Sequence, residues 1–322
     1  MYYTLAHNQT ELPAVHTANN VAFYIFFLLI GIWALMFNLI LLLIIKKVNP
    51  IKPNLMFISA LAVANIFGGM GCIAENSRKF VYGFIHQPSK ATVGECFSSS
   101  PHLCLYTIAY SIFTYFQLAV GLERLLSFYR LGLHYVIFTK TRAKIICLVC
   151  TLLSFIIPII IFINVGMNAG NIATGRCRSG EIISQKTLDG NAYFLFFLNA
   201  ISIMIFFCTL SFFNRQKREI RTEMRILQLK AEFRIAKCVF SALMTTAICQ
   251  SLPWAIIYIF PKNQYTLFAF DFLGELSSLS WPITALMLMF MHPDLSHDAM
   301  KKFRWNKCCS KSTSTSVVYI GD

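Results

Sequence analysis

Apolar residues gather into seven runs along the chain: Val21–Ile45, Leu55–Ala74, Leu103–Leu122, Ile145–Val165, Ala192–Phe213, Cys238–Phe260 and Leu267–Met291. Each is about 20 residues or more, which at the helical rise covers a hydrocarbon core of ~30 Å. Six contain no Asp, Glu, Lys or Arg, and the seventh holds Asp271 and Glu275. In lipid every backbone N–H and C=O needs an internal partner, so runs of this length predict helices. Strands would alternate apolar with polar, and these runs do not. The pattern predicts an all-α integral membrane protein, a seven-transmembrane helix bundle.

Composition and charge sharpen this picture. The chain has 322 residues, 57% hydrophobic and only 13% charged, against roughly a quarter charged in a soluble domain. The connections between runs are too short for a further soluble domain. A net charge of +14 would raise nucleic acid as a partner in a soluble protein, but here the basic residues are sorted by side. Arg78, Lys79, Lys90, Arg176, Arg178, Lys186 and Lys262 fall on one side, and the other 21 lie on the opposite side. Basic residues stay cytoplasmic. The N-terminus is therefore expected outside and the C-terminus inside. Residues 1–20 carry no Lys or Arg, so the first run is expected to act as an uncleaved signal-anchor rather than a signal peptide. The expected organisation is an outer tail over 1–20, the seven-span domain over 21–291, a surface helix over 292–309 and a disordered tail over 310–322. Asn8-Gln9-Thr10 in the outer tail is a glycan acceptor triplet.

Polar residues inside the runs are where mechanism is expected. The third run ends in Glu123-Arg124-Leu125. Above it Tyr106, Tyr110, Phe113, Gln117, Val120 and Arg124 follow spacings of four and three, so they share one helix face. A face with two tyrosines, a glutamine and an arginine should look into the bundle. On the seventh run Asp271, Glu275, Ser278 and Pro282 share a face, and acids inside a membrane are functional candidates. Pro158, Pro253 and Pro282 each remove a backbone hydrogen bond and predict bends. The cysteines within the spans (Cys72, Cys147, Cys150, Cys208, Cys238 and Cys249) read as small buried apolar residues.

These positions resemble rhodopsin-like G-protein-coupled receptors. Glu123-Arg124-Leu125 is similar to that family's acid-Arg-Tyr motif. Gly31 and Asn38 match marks of its first span, and Ala60-Leu61-Ala62-Val63-Ala64-Asn65 resembles its Leu-Ala-x-Ala-Asp. Pro253 lies mid-sixth span, and Trp281-Pro282-Ile283-Thr284-Ala285 resembles the Asn-Pro-x-x-Tyr segment. Asn65 stands where the family has an acid and Ala285 where it has tyrosine. The fourth span lacks a Trp, the fifth lacks a Pro, and the outer loop before the third span is long. With these departures the chain looks most like the nematode serpentine chemosensory receptors of the alpha, ab, b and e group.

The resemblance implies a receptor at the plasma membrane, including the cilia of sensory neurons, with a heterotrimeric G protein as partner. A small-molecule or peptide ligand would sit in the outer half, against Tyr106, Tyr110, Phe113, Gln117, Gln250, Trp254, Tyr258, Asp271, Glu275 and Ser278. Glu123, Arg124, Asn65, Pro253 and Pro282 would carry the switch, and Arg218, Arg221 and Arg225 the basic inner face that meets the G protein and anionic lipid. One disulfide would tie Cys177 to the outer end of the third helix, with Cys104 the expected partner and Cys96 the alternative. Past Met291, Asp294–Trp305 predicts a short amphipathic eighth helix on the inner membrane surface, followed by Cys308-Cys309 as palmitoylation sites. The competing reading is a transporter or channel, which would show paired charges along a path or broken helices with internal symmetry. Catalysis is not expected, since the seven His residues lie in tails, loops or span ends and no HExxH or phosphate loop occurs. No cofactor or metal is expected.

Overall fold

The structure, a computed structural model, describes residues 17–48, 52–82, 90–174, 177, 182–219, 223–252, 256, 275–293 and 295. Long helices dominate: α1 (Thr17–Lys47), α2 (Pro53–Tyr82), α4 (Pro101–Tyr129), α8 (Gln185–Glu219) and α9 (Glu223–Thr246). A fourth span is built from α6 (Lys140–Ser154) and α7 (Ile156–Met167), and the last described helix is α10 (Ser280–Met291). Short elements complete the fold: β1 (Lys90–Thr92), α3 (Val93–Ser98), α5 (Leu131–Ile137) and β2 (Ile172–Thr174).

Five helical stretches are long and apolar enough to cross a membrane: Val21–Lys47, Pro53–Val81, Pro101–Tyr129, Lys140–Met167 and Asp189–Gln216. Ser277–Met291 is a shorter apolar helix. The sixth expected run divides between the end of α9, a π-helical turn at Ala247–Ser251 and residues outside those described. α2 and α4 are the most enclosed of the spans, whereas the fourth span and α8 leave most of their surface exposed. That surface is apolar, with Leu148, Leu152, Ile159, Ile163, Phe197 and Met204 all more than half exposed. A contiguous apolar exterior of this kind matches a hydrocarbon solvent rather than water. Cys208 departs from the expectation of burial and faces outward on α8.

Small residues let the central helices approach. Gly68 faces the indole of Trp281, where an added Cβ would lie 2.5 Å from Cε2. Gly69 lies against α1, where a Cβ would meet Gly31 O at 3.0 Å. Tight helix approach through small residues is how membrane helices gain packing energy without a hydrophobic drive. Gly68→Ala is expected to destabilise by about 1–3 kcal/mol through displacement of Trp281. A thermal melt of the detergent-solubilised variant checks this, and an unchanged midpoint would show that the indole moves freely.

The helix irregularities lie one turn before prolines. The break at Phe155 precedes Pro158, the π-turn Ala247–Ser251 precedes Pro253, and a 3₁₀ turn at Ser277–Leu279 precedes Pro282. Each proline lacks the N–H that would bond the carbonyl four residues earlier, and its ring crowds that carbonyl. Pro253 itself lies outside the described residues. At the end of the bundle that the charge pattern is expected to place inside, named the inner end on that basis and the opposite one the outer end, α10 stops at Met291 with His292 in an extended conformation. Leu295 then turns back into a buried cluster with Leu41, Ile44, Leu55, Ala285 and Leu288.

The outer end carries a small cap. β1 pairs antiparallel with β2, Thr92 opposite Ile172. Thr92 closes a capping box on α3: its N–H donates to Glu95 Oε2 at 2.8 Å, and Glu95 N–H donates to Thr92 Oγ1 at 3.2 Å. The Thr92 N–H holds the Glu95 carboxyl below its ordinary value. Val93, Cys96, Ile161, Val165, Ala173, Cys177, Ile182 and Ile183 form the cap's buried cluster.

Within that cluster Cys177 is bonded to Cys96, with Cα atoms 5.0 Å apart. This corrects the expected Cys104 partner, which is a free thiol. α4 does begin at Pro101 with Ser100 as N-cap, so Cys104 does sit in its first turn. The pairing is decided instead by α3, which the capping box and strand pair hold beside the loop that carries Cys177. The Ser100 side chain makes no cap hydrogen bond and accepts one from Arg78 Nη1.

Candidate functional site

Two polar groups stand out, one at each end of the bundle. The inner group is built on the last turns of α4. Glu123 and Arg124 are both almost wholly buried, at 2% and 3% side-chain exposure, and the guanidinium donates to the neighbouring carboxylate. Arg124 Nη1 also donates to Glu232 Oε2 of α9 at 2.7 Å. His134 Nε2 on α5 lies 2.9 Å from Glu123 Oε1. The His134 ring rests beside Phe138, whose own ring meets Phe57 of α2 edge-on. One buried carboxylate thus gathers α4 and α5, and the arginine beside it reaches α9. Below this clasp Phe213 of α8 stacks on Phe233 of α9 with centroids 3.8 Å apart.

The chemistry of the clasp is asymmetric. Removing either member of a buried pair leaves an uncompensated charge and is costly. Glu232 is about one-third exposed, so water can receive its carboxylate when α9 moves away. Of the two contacts, Arg124–Glu232 therefore costs less to separate than the enclosed Glu123–Arg124 pair.

The outer group joins α2 to the turn before α10. Lys79 Nζ lies 2.7 Å from Glu75 Oε1 and 2.6 Å from Glu275 Oε1. Asn76 Nδ2 approaches Glu275 Oε2 at 3.5 Å and donates to Cys72 O at 3.0 Å. Tyr110 Oη and Ser277 Oγ are 2.9 Å apart. The rings of Tyr106 and Tyr110 lie 5.7 Å and 6.1 Å from that of Trp281. Of the residues expected to meet ligand, Tyr106, Tyr110 and Glu275 therefore assemble here, with Ser278 buried one residue beyond Ser277.

Phe113 and Gln117 do not join this group. Both are buried in the middle layer, where with Ile58, Leu61, Val120, Val239, Ala242, Thr284 and Leu288 they line a space of about 10 Å³, enough for one water. Gln250 bonds across to Ser280, Nε2 to Oγ at 2.7 Å, and so ties the π-turn to α10. Asn65 donates to Asn38 Oδ1 at 3.2 Å, and Asn38 Nδ2 reaches Ala34 O and Trp281 O. This amide pair fastens α1, α2 and α10 together without any acid. Pro282 is buried beside it. Arg218 is exposed near the inner end of α8, and Arg225 lies on α9.

Trp254, Tyr258, Asp271, Pro253, Arg221, Asn8, Cys308 and Cys309 lie outside the described residues, as does the amphipathic helix Asp294–Trp305 apart from Leu295. Sequence reasoning missed Lys79, Glu75, His134 and Glu232. Lys79 and Glu75 were legible as an i, i+4 acid–base pair just past the second apolar run. His134 and Glu232 carried no such local signal. No model of a known protein family matches the chain, and no curated protein matches it.

Proposed function

We propose that the chain is a rhodopsin-like G-protein-coupled receptor of the nematode chemosensory kind, a seven-helix bundle with its N-terminus outside, resident in the plasma membrane of sensory neurons and their cilia. The observation that carries this reading is the Arg124 clasp. An arginine at the inner end of α4 is held by the enclosed Glu123 and by the more exposed Glu232 on α9. The polar, aromatic-walled group around Glu275 lies at the opposite end of the same helices.

Between the two ends, a π-turn at Ala247–Ser251 follows α9 and a 3₁₀ turn at Ser277–Leu279 precedes α10, and Gln250 links the π-turn to Ser280 at the start of α10. A ligand that changes the outer contacts can bend the helices there and swing the inner end of α9. Glu232 then leaves Arg124 and the inner face opens to the G protein. The exposed Arg215 and Arg218 on α8 add positive charge at that face for the G protein and anionic headgroups. The surface helix after Leu295, with palmitoyl chains on Cys308 and Cys309, would anchor the same side, and a glycan on Asn8 would mark the other.

The test is ligand-dependent nucleotide exchange on a panel of Gα subunits, using the full chain in nanodiscs and a library of small odorants and peptides. Exchange that rises with a saturable ligand supports the receptor. Ligand binding without exchange on any Gα, together with solute flux in sealed vesicles, would replace it with a transporter.

A further inference from the structure

We propose that the outer group is a binding site for an organic ammonium ion, and that Lys79 is an internal stand-in which such a ligand displaces. The consequence for signalling rests on the receptor reading above; the binding itself does not.

The group is built around a cation. One ammonium lies between two carboxylates that come from different parts of the chain, Glu75 on α2 and Glu275 before α10. Both acids are enclosed, at 14% and 5% side-chain exposure. Among the described residues Lys79 is the base that meets both acids. The two acids share this one ammonium among the described residues, and a buried carboxylate left without its cation is costly.

Beside the acids the buried acceptor Asn76 Oδ1 has no hydrogen-bond partner among the described residues, and neither has the ring atom His102 Nδ1 on α4. Their side chains are 0% and 8% exposed. Ammonium offers three donors and no acceptor, which is what such a set lacks. Tyr106, Tyr110 and Trp281 supply adjoining aromatic surface, the surroundings that favour the carbon part and the charge of an organic cation.

The exposures decide the sign of the ligand. Lys79 is 27% exposed on a flexible four-carbon stem at the outer end of α2, so its ammonium can swing to water. Exchanging one ammonium for another conserves the charge of the site. An anion would instead have to evict Glu275, the most enclosed member. Among the described residues no three His, Cys, Asp or Glu side chains gather as a metal site, which favours an organic cation over a metal ion.

The test uses full-length protein in nanodiscs with 2-phenylethylamine as probe, and 2-phenylethanol and 3-phenylpropionate as neutral and anionic matches. The amine is expected to raise the melting temperature of the wild type, and the two matches are not. Lys79→Ala is expected to bind the amine roughly tenfold tighter, because the internal competitor that lowers apparent affinity is gone. Ethylamine should restore thermal stability to that variant, and Glu275→Gln should abolish the amine effect. Should Lys79→Ala fail to fold, Lys79→Met keeps the apolar stem and both carboxylates and carries the same expectation. Equal response to amine and alcohol in wild type and in both Lys79 backgrounds overturns the proposal. Amine binding as described with no change in exchange on any Gα upholds the site and removes the receptor reading.

Discussion

Glu232→Gln is expected to raise ligand-independent nucleotide exchange by roughly tenfold while leaving the folded yield close to wild type. The substitution removes the charge on the exposed side of the Arg124 clasp. A hydrogen bond between charged groups contributes about 1.5–3 kcal/mol, and 1.4 kcal/mol shifts a two-state equilibrium tenfold. Arg124 keeps Glu123 as its buried counter-charge, so the substitution leaves no buried charge unpaired. Arg124→Ala is expected to behave differently. It leaves the 2%-exposed Glu123 with only His134, and should lower the folded yield as well as ligand-driven exchange. Basal and stimulated exchange, measured per molecule of folded receptor in nanodiscs, separate the two variants. Unchanged basal exchange in Glu232→Gln would show that the contact does not restrain α9.

The second large effect is expected at the cap. Cys96→Ser and Cys177→Ser should each destabilise the outer end by about 2–4 kcal/mol, because the bond closes a loop of 81 residues and ties α3 to the segment after β2. Cys104→Ser should be nearly neutral. Both cap variants should also loosen the pairing of β1 with β2, which hydrogen exchange over 90–98 and 169–174 would detect as faster labelling. Mass mapping of the unreduced protein gives the connectivity directly. A Cys104–Cys177 peptide, or a Cys104→Ser melt as low as that of Cys96→Ser, would reverse the assignment.

These two predictions differ in how far they could be anticipated from the chain. Arg124 was readable because it ends a polar stripe on one helix face, and its neighbour Glu123 is adjacent in sequence. Its second partner, Glu232, lies 108 residues away, and nothing local in the sequence pairs the two. The cap was harder. Cys96 lies ahead of the third span and Cys104 in its first turn, and their positions in the sequence do not rank them as partners of Cys177. The capping box Thr92–Glu95 and the pairing of Thr92 with Ile172 settle which sulfur reaches Cys177.

Properties of short segments were set by the sequence alone. Apolar length determined where the membrane-crossing helices run, because a lipid-facing backbone must satisfy itself within one segment. Proline determined where they break: Phe155, Ala247–Ser251 and Ser277–Leu279 each sit one turn before a residue that lacks an N–H. The inward face of α4 followed from its four-and-three spacing, with Phe113, Gln117, Val120 and Arg124 all buried. Tertiary structure decided depth and partnership. Gln117 shares the stripe of Tyr106 and Tyr110 yet belongs to the middle layer, because helical spacing gives direction and not the height at which neighbours close over a side chain. Glu275 was readable as an acid inside a span and hence a functional candidate, but its partner proved to be Lys79 on α2. That pairing depends on the rotation and approach of two helices, set by contacts such as Gly68 against Trp281, and no local pattern in the chain encodes it.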